Sequence, residues 1–420
     1  MLEQSTRFGY GSCIEVYTNN FQEELHMDVQ DVSKKISEYM DAHRDEMVDF
    51  LKEFISIRSV TYEEGDAVQW FWQKLKEFDY DEVRIDPVGN CLGRVGSGKT
   101  VLLYDAHIDT VEPGDSEEWG FDPLQAKVEN GSVIGRGAGD DKACLTDFAF
   151  AGRALKELGL DGEYTFWLSA SISEEDVEGS CVRAMMEENS DIEPDFIVVG
   201  EASEMRIIRG HKGRALLKVD VFGKAAHGSA AWRGENSLIK SIPLMQHVDA
   251  YKDFEEDPFL GRGSIEVTNI KTNSLSLNTI PGKTTVFIDR RIARGESQKD
   301  LIHELKPWVD EVGGKTSIDV ENVTTYTGYE ISQEDYFPSW VIPEDHPLIQ
   351  NGVETFRSLY GKDPVVGAWD FCSNATHLCG RTGIPSIGFG PGDGSLAHST
   401  QDSVPIDELV DAAKYYALVP

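Results

Sequence analysis

The chain has 420 residues, of which 74 are acidic and 39 are basic, giving a formal net charge of −35. This length exceeds the size at which a single hydrophobic core stops growing, so two domains are expected. The acidic excess argues against nucleic acid as a partner, because phosphate binding needs a basic face. No run reaches the roughly 18 apolar residues that cross a bilayer, so no membrane association is expected.

The amino-terminal segment and the cysteines bear on the cellular compartment. Residues 1–26 lack the basic start and apolar stretch of a signal peptide, and a poorly ordered extension is expected there. Patterned sequence begins near Met27, which could be the true start. The six cysteines form no CxxC pair and have no regular spacing, which argues against a disulfide framework or a zinc ribbon. A cytoplasmic enzyme is therefore expected.

The first elements in chain order are helices followed by strands. Apolar residues recur at helical spacing over residues 31–57, and a second helix is predicted over residues 66–78. Strands are predicted over residues 82–85 and 91–95. The catalytic candidates come after these elements.

Residues 93–100, GRVGSGKT, match the phosphate-loop pattern GxxxxGK[ST]. That loop binds phosphate when a helix follows directly, because the helix N-terminus supplies N–H groups and a favourable dipole. Here the apolar, β-branched run VLLYDAHID follows, which predicts a strand. GSGK is therefore predicted to form a hairpin turn between two strands. A phosphate-loop nucleotide-binding protein that uses Lys99 is kept as an alternative.

Four short apolar runs each lead to a histidine or a carboxylate. They are VLLYDAHID, EYTFWLSASISEE, FIVVGE and IPSIGFGPG. Non-alternating apolar strands are typical of parallel sheets, whose functional sites lie outside the carboxyl ends of the strands. The glycine-rich turn GRGAGDDKA, between the first two runs, contributes another acid. The candidate residues near these ends are His107, Asp109, Asp140, Glu174, Glu175, Glu201 and His398.

The hydrophobic pattern changes once along the chain. An amphipathic helix over residues 144–160 separates the first two apolar runs, and this strand–helix–strand order predicts a parallel pair. After about residue 208, ALLKVDVFG and KTTVFIDRRIA alternate as half-buried antiparallel strands do. We therefore predict an α/β fold with a mixed, mostly parallel sheet flanked by helices and interrupted by an inserted α+β unit. The predicted boundaries are 27–208 and 323–420 for the first unit and 209–322 for the insert. His211 and Arg214, at the hinge, are expected to be structural.

Imidazole and carboxylate side chains in this combination predict a site for two divalent metals. His107 and Asp109 are two residues apart on a strand and point to the same side. His107 would bind a metal while Asp109 accepts its second ring N–H. Asp140, in a turn that allows close backbone approach, is suited to bridge two ions. Adjacent Glu174 and Glu175 cannot both face one metal, so one would be a ligand and the other a general base for hydrolysis.

The motifs HIDTV, GRGAGDDKA, SEED, VGEAS and AHS resemble those of the co-catalytic zinc amidohydrolases and exopeptidases. That family includes acetylornithine deacetylase, succinyl-diaminopimelate desuccinylase, glutamate carboxypeptidase and aminoacylase, and the resemblance covers about residues 30–420. It implies a zinc-exopeptidase-like catalytic domain with two divalent ions per subunit, Zn²⁺ or else Co²⁺ or Mn²⁺. It also implies that the Asp140–Asp141 peptide is cis. By this resemblance, His107 and Glu201 would bind one zinc each and Asp140 would bridge the two ions. Glu175 and His398 would complete the shell of the other zinc. Glu174 would be the general base.

The inserted unit carries further matches. GKAAHGSAAWRGEN resembles the family's lid motif, in which His227 reaches the partner subunit's site and helps to stabilise the oxyanion. Asn278 and either Arg290 or Arg291 match positions that hold the substrate's carboxylate, for which a planar guanidinium is suited. The resemblance thus implies a homodimer formed through the lid and a small N-acyl amino acid or short peptide as substrate.

Three segments depart from the family pattern. Asp141 follows the bridging aspartate, Ala202 and Ser203 follow Glu201, and WDFCSNATH stands where a Gly/Ser-Thr-Asp pattern is common. The whole sequence most resembles a subgroup associated with selenium-metabolism gene clusters, and its substrate is not assigned. We expect metal-dependent hydrolysis of an amide bond, by deacylation or by release of a terminal amino acid. A non-catalytic relative that serves as a binding module is the remaining alternative.

Overall fold

The computed structural model describes residues 29–162 and 164–419, and the expected extension over residues 1–26 lies outside them. Two separate hydrophobic cores occur in the described chain. One draws on residues 36–208 and 331–419. The other draws on residues 215–318. The chain therefore leaves the first core, builds a second and returns, while the unit boundaries given above stay a prediction.

The strands fall into three groups along the chain. Those before the insert are β1 (Glu82–Ile85), β2 (Cys91–Gly96), β3 (Thr100–His107), β4 (Lys127–Glu129), β5 (Ser132–Ile134), β6 (Tyr164–Ser171), β7 (Phe196–Gly200) and β8 (Ile207–His211). Those within it are β9 (Gly213–Phe222), β10 (Ala226–His227), β11 (Glu256–Asp257), β12 (Gly261–Arg262), β13 (Ser264–Thr272), β14 (Thr279–Ile280), β15 (Lys283–Ile292) and β16 (Gly314–Ile318). Those after it are β17 (Val320–Thr324), β18 (Glu330–Glu334), β19 (Tyr336–Phe337), β20 (Trp340–Val341), β21 (Val366–Trp369), β22 (Ser386–Phe389) and β23 (Ser403–Pro405).

Helices occur before, within and after the insert. They are α1 (Val29–Ala42), α2 (Arg44–Ile55), α3 (Gly65–Glu77), α4 (Ser116–Trp119), α5 (Lys142–Glu157), α6 (Ser180–Glu188), α7 (Ser237–Lys240), α8 (Ile242–Ala250), α9 (Gln298–Glu311), α10 (Pro347–Tyr360), α11 (Ala375–Leu378) and α12 (Ile406–Leu418). The helical pattern predicted over residues 31–57 is broken at His43, whose backbone (φ −101°, ψ 8°) leaves the helical region. None of the helices in the described ranges is both long and apolar enough to cross a membrane.

The main sheet has the order β1-β2-β6-β3-β7-β22-β8-β20, with β21 also on β8. Its four central strands, β6, β3, β7 and β22, pair in parallel. The outer pairs β1–β2, β2–β6, β22–β8 and β8–β20 are antiparallel. This confirms the predicted mixed α/β fold. The parallel centre brings the carboxyl ends of β3, β6 and β7 to one edge, where the candidate residues follow.

The second sheet has the antiparallel order β13-β15-β9-β16, with β19 also on β9. Burial alternates along β9 and β15 as the sequence pattern predicted. The buried face packs with apolar residues of helices α8 and α9. Strand β13 forms one edge of this sheet, and its exposed residues outnumber its buried ones.

The turn after β2 differs from the predicted hairpin. Strands β2 and β3 do not pair with each other, because β6 lies between them. Strand β6 pairs antiparallel with β2 and parallel with β3. Thr165 at the start of β6 donates a hydrogen bond to the Gly98 carbonyl oxygen at 2.8 Å. The GSGK turn, in which Gly96 has a φ of 79°, therefore carries the chain past the end of β6.

Candidate metal centre

His107 ends strand β3 and is almost fully buried. Its Nε2 lies 2.9 Å from Asp140 Oδ1. Its Nδ1 lies 2.9 Å from the backbone oxygen of Asp109 and 3.5 Å from the Asp109 carboxylate. The expected contact with Asp109 is thus made mainly through the backbone carbonyl, which turns the Nε2 atom of His107 toward Asp140.

Asp140 lies between two histidines. Its Oδ1 faces His107, and its Oδ2 lies 3.4 Å from the Nε2 atom of His398. The peptide bond that joins Asp140 to Asp141 is cis, as the family resemblance implies. A carboxylate whose two oxygens face two different imidazoles is suited to bridge two ions.

Asp402, which belongs to none of the sequence motifs, holds the turn that carries Asp140. Its oxygens accept hydrogen bonds from the backbone N–H of Gly137 at 2.6 Å and of Gly139 at 2.7 Å. Arg136 also donates to it at 3.2 Å. Burial raises the pKa of Asp402 to about 7. Its partners lie more than 260 residues earlier in the chain, so no local pattern could have revealed this role.

Two triads of metal-binding side chains share Asp140. The first is His107, Asp140 and Glu201, and the second is Asp140, Glu175 and His398. Within each triad the ligand atoms lie within 4.8 Å of one another. His107 and Glu201 therefore belong to one triad, and Glu175 and His398 belong to the other. The five residues expected as ligands are brought together in this one place.

Glu174 and Glu175 have different surroundings. Glu175 Oε2 lies 2.7 Å from His398 Nε2, and Glu175 Oε1 accepts the backbone N–H of Val111 at 3.1 Å. Glu174 is 6 % exposed, and its Oε1 has no hydrogen-bond partner among the described residues. A buried carboxylate oxygen without a donor requires an explanation in any structure. Glu175 is thus the one that joins a triad, and Glu174 keeps an oxygen available.

The pKa values of two carboxylates in the site, Glu174 and Asp140, are shifted in opposite directions. Burial, reinforced by the carboxylates of Glu178, Glu175 and Asp109, raises the pKa of Glu174 well above its usual value, although His107 opposes this. Burial also acts on Asp140, but its hydrogen bond with His107 holds the pKa of Asp140 below the usual value. A proton acceptor beside an anionic ligand is the pairing that metal-assisted hydrolysis requires.

Asp109 has a second task besides orienting His107. Its Oδ1 accepts the backbone N–H of Glu174 at 3.1 Å, and its Oδ2 accepts that of Glu175 at 3.2 Å. Thr61 donates its hydroxyl to Oδ2 at 2.9 Å. Asp109 is fully buried. One carboxylate therefore connects the strand that ends in His107 with the segment that carries both glutamates.

The two lid residues expected to meet the substrate lie next to each other. Strands β10 and β14 pair so that His227 is opposite Thr279, the residue after Asn278. The backbone N–H of Gly228 donates to the Asn278 carbonyl oxygen at 2.7 Å. His227 is exposed, and its Nδ1 lies 2.8 Å from the hydroxyl of Ser229. In the described chain neither His227 nor Asn278 has a hydrogen bond or ion pair with a triad residue, so their roles stay a prediction.

The two neighbouring arginines of β15 point to opposite faces of the second sheet. Arg290 is 2 % exposed, lies on the helix-covered face and donates two hydrogen bonds to Glu304, both at 3.1 Å. It also pairs with Glu296. Arg291 is half-buried on the other face, where its Nε donates to Asp289 at 2.9 Å. Arg290 is therefore committed to packing within the lid, and Arg291 is the arginine that remains as a candidate for the substrate.

The hinge residues have the structural surroundings expected of them. His211 is fully buried, its Nδ1 lies 2.7 Å from the Lys212 carbonyl oxygen, and burial lowers its pKa to about 4. Arg214 pairs with Glu178 at 2.7 Å. Burial raises the pKa of Glu178 to about 7, although Arg214 opposes this.

Lys99 does not have the surroundings of a phosphate-loop lysine. It is exposed, and strand β3 begins at the next residue. A phosphate loop requires a helix N-terminus at that place. The turn therefore lacks the structural context in which the motif binds a nucleotide.

Comparisons with known proteins identify the family of the chain. A model of the family described as Peptidase family M20/M25/M40 matches residues 103–420. The chain is 34 % identical over 390 residues to the uncharacterized protein YgeY of Escherichia coli (strain K12), covering 92 % of this chain and 96 % of that protein. It is 23 % identical over 402 residues to a probable succinyl-diaminopimelate desuccinylase of Staphylococcus epidermidis (strain ATCC 12228 / FDA PCI 1200), covering 88 % and 94 %. The solved structure of an M20 family metallo-carboxypeptidase, Sso-CP2 from Sulfolobus solfataricus, has a similar fold, with a TM-score of 0.70 at 16 % identity and coverage of 89 % and 98 %.

Proposed function

The chain belongs to peptidase family M20/M25/M40 and is a metal-dependent hydrolase of amide bonds, and we propose that it cleaves a small N-acyl amino acid or a short peptide. The observation that carries this proposal is the pair of triads that share Asp140, with Glu174 beside them. The similar proteins include a probable desuccinylase, which suggests an N-acyl amino acid as substrate, and a metallo-carboxypeptidase, which suggests a peptide.

The donor set suits two divalent ions. Each triad offers one imidazole and two carboxylates, the donors that Zn²⁺ takes in proteins, and Co²⁺ and Mn²⁺ accept the same donors. We propose Zn²⁺, with His107 and Glu201 in the first position, Glu175 and His398 in the second, and Asp140 between them. Bound there, the ions would acidify a water molecule and polarise the amide carbonyl.

The residues of the chain divide the remaining work. Glu174 would take a proton from the attacking water and later give it to the leaving amine. Its buried carboxylate, flanked by other carboxylates, is suited to accept a proton because a protonated state relieves both burial and repulsion. Asp109 would fix the positions of the His107 ring and of the Glu174 backbone through its hydrogen bonds to both.

The lid would supply the rest of the substrate site. Arg291 would bind the carboxylate of the substrate, with Asn278 nearby. His227 of a second copy would donate a hydrogen bond to the developing oxyanion. Support for a homodimer comes from the exposed apolar side chains of Trp232, Leu275 and Leu277, which lie in the same part of the lid as His227, and from the open edge of β13.

The five described cysteines are free and buried. Reduced, packed thiols support the cytoplasmic location that we propose.

The test is a panel of N-acyl amino acids and dipeptides, assayed with the zinc-loaded or cobalt-loaded protein and with its Glu174→Gln variant. The wild type is expected to hydrolyse at least one class. The variant is expected to lose roughly 10²- to 10⁴-fold in kcat while keeping its metal content. Glu204→Gln, at another carboxylate near a strand end, is the matched control and should keep full activity. A Glu174→Gln variant as active as the wild type would contradict the proposed role of Glu174.

A further inference from the structure

Asn374 is a buried amide in the segment WDFCSNATH, which departs from the family pattern. It is 3 % exposed and precedes the short helix α11. Its Oδ1 accepts the backbone N–H of Gly179 at 2.9 Å. Its Nδ2 donates to Asp105 Oδ2 and to the Ser171 hydroxyl oxygen, both at 2.9 Å. All three contacts are to residues more than 190 positions away in the chain.

These partners bracket the segment that carries the proposed base. Ser171 is the last residue of β6, and Gly179 immediately precedes helix α6. The residues between them, 172–178, include Glu174 and Glu175. Asp105 lies on β3, two residues before His107. A single amide thus joins both ends of the glutamate segment to the strand that carries the first histidine.

The amide orientation is fixed by its partners. Gly179 offers an N–H donor, and Asp105 offers a carboxylate acceptor, so exchanging Oδ1 and Nδ2 would place like groups together. An aspartate at position 374 would put a second carboxylate within hydrogen-bonding distance of Asp105, which is fully buried. The neutral amide is therefore the side chain that this pocket accommodates.

Hydrogen bonds from other parts of the chain also hold the glutamate segment, residues 172–178, in place. Ser173 has a positive φ of 57°, a backbone conformation that is uncommon for residues other than glycine. Inside the segment, Glu64 accepts the N–H of Ser173 at 3.1 Å, and Asp109 accepts the N–H of Glu174. Strand pairing with β3 also holds the Ser171 end, and Asn374 is a side chain that contacts both outer ends.

We propose that Asn374 is a positioning residue for the hydrolysis, holding Ser171 and Gly179 so that Glu174 keeps its place beside the metal triads. This inference rests on the proposed function. Among the described residues, the side-chain hydrogen bonds of Asn374 go to Gly179, Asp105 and Ser171 and not to a triad side chain, so its loss should lower kcat and leave KM and metal content unchanged. A misplacement of the base by about 1 Å can cost on the order of 100-fold in rate.

The pairing of Asn374 with Asp105 allows a reciprocal exchange. In the Asn374→Asp variant two carboxylates face each other, and kcat should fall at least as far as in Asn374→Ala. In the double variant Asp105→Asn with Asn374→Asp, the new amide can donate to the new carboxylate, which still accepts from Gly179. The double variant should therefore recover most of the activity. Ser171→Ala removes only one of the contacts and should cause a smaller loss, which keeps the test informative if Asn374→Ala fails to fold.

The experiment measures kcat, KM and metal content for these variants, together with amide hydrogen exchange of residues 172–179. Faster exchange there in Asn374→Ala, with residues 213–222 of β9 unchanged, is expected whatever the substrate. Wild-type kcat in both Asn374→Ala and Ser171→Ala would overturn the inference, as would a double variant no better than Asn374→Asp. An inactive wild type would contradict the proposed function alone, and the exchange measurement would still decide the role of Asn374.

Discussion

Asp109 accepts the backbone N–H of Glu174 through Oδ1 at a distance of 3.1 Å. The residue that orients the first histidine is thus also a support for the proposed base. Oδ2 of Asp109 accepts the N–H of Glu175 and the hydroxyl of Thr61. Oδ1 accepts the N–H of Glu174 and also lies 3.5 Å from Nδ1 of His107. Each oxygen therefore faces two donors. The position requires a side chain that accepts hydrogen bonds at both ends.

Asp109→Asn should therefore disrupt the site although it preserves shape. Asparagine carries an NH₂ group in place of one of the two carboxylate oxygens. Whichever oxygen is replaced, this NH₂ donor would face the two donors that the oxygen faced before, and no hydrogen bond could form there. Changes at residues that support metal ligands typically cost about 10- to 100-fold in activity or metal affinity, and that loss is expected here. Steady-state kinetics with metal analysis checks it, with Asp115→Asn, an exposed helix cap, as control. Full activity in Asp109→Asn would show that His107 and Glu174 do not depend on this carboxylate.

Arg291 and Arg290 should respond differently to substitution. Arg291→Gln removes the guanidinium proposed to hold the substrate carboxylate and should lower kcat/KM by about 10- to 100-fold, mainly through KM. Arg290→Gln breaks a buried pair with Glu304 and should instead lower the thermal stability of the protein. Arg294→Gln, at an exposed arginine in the same region, is the control. An unchanged KM in Arg291→Gln would exclude that residue from the substrate site.

Lys99→Ala should have almost no effect. The lysine is exposed and is followed by strand β3, so the helix N-terminus of a phosphate loop does not follow it. We expect kcat/KM within about twofold of the wild type, since surface substitutions away from special features are usually nearly neutral. ATP binding by the wild type that disappears in Lys99→Ala would favour the nucleotide-binding alternative instead.

Four of the five candidate metal ligands could be located from the sequence because each comes after an apolar run, as Glu201 follows FIVVG, and Asp140 because it lies in a glycine-rich turn. The residues that support them could not. Asn374 meets Asp105 across 269 positions, and Asp402 meets Gly139 across 263. Such contacts arise only when the sheet has formed, and a lone Asn or Asp gives no local signal. Arg290 and Arg291 were also inseparable in sequence, since only the helices over one face of the sheet distinguish them.

His211 should make the hinge sensitive to acid. Its folded-state pKa is about 4, whereas an unfolded histidine titrates near 6.5, because burial disfavours the charged ring. Between these values the unfolded chain binds more protons, so stability contributed by His211 is present above pH 6.5 and is lost as the pH falls toward 4. The loss amounts to about 3 kcal/mol. His211→Asn keeps a donor for the Lys212 carbonyl and should flatten this part of the pH profile of the free energy of unfolding. Parallel profiles for the two proteins would contradict the assignment.

The proposed metal centre depends on Asp140 joining two metal sites. Its most direct test is to titrate metal-free protein with Zn²⁺ and count the bound ions by elemental analysis, for the wild type and for Asp140→Asn. Two ions per chain are expected in the wild type, with hydrolytic activity appearing as the sites fill, and at most one weakly held ion is expected in the variant. A wild type that binds one ion or none, or an Asp140→Asn variant that still binds two tightly, would contradict it.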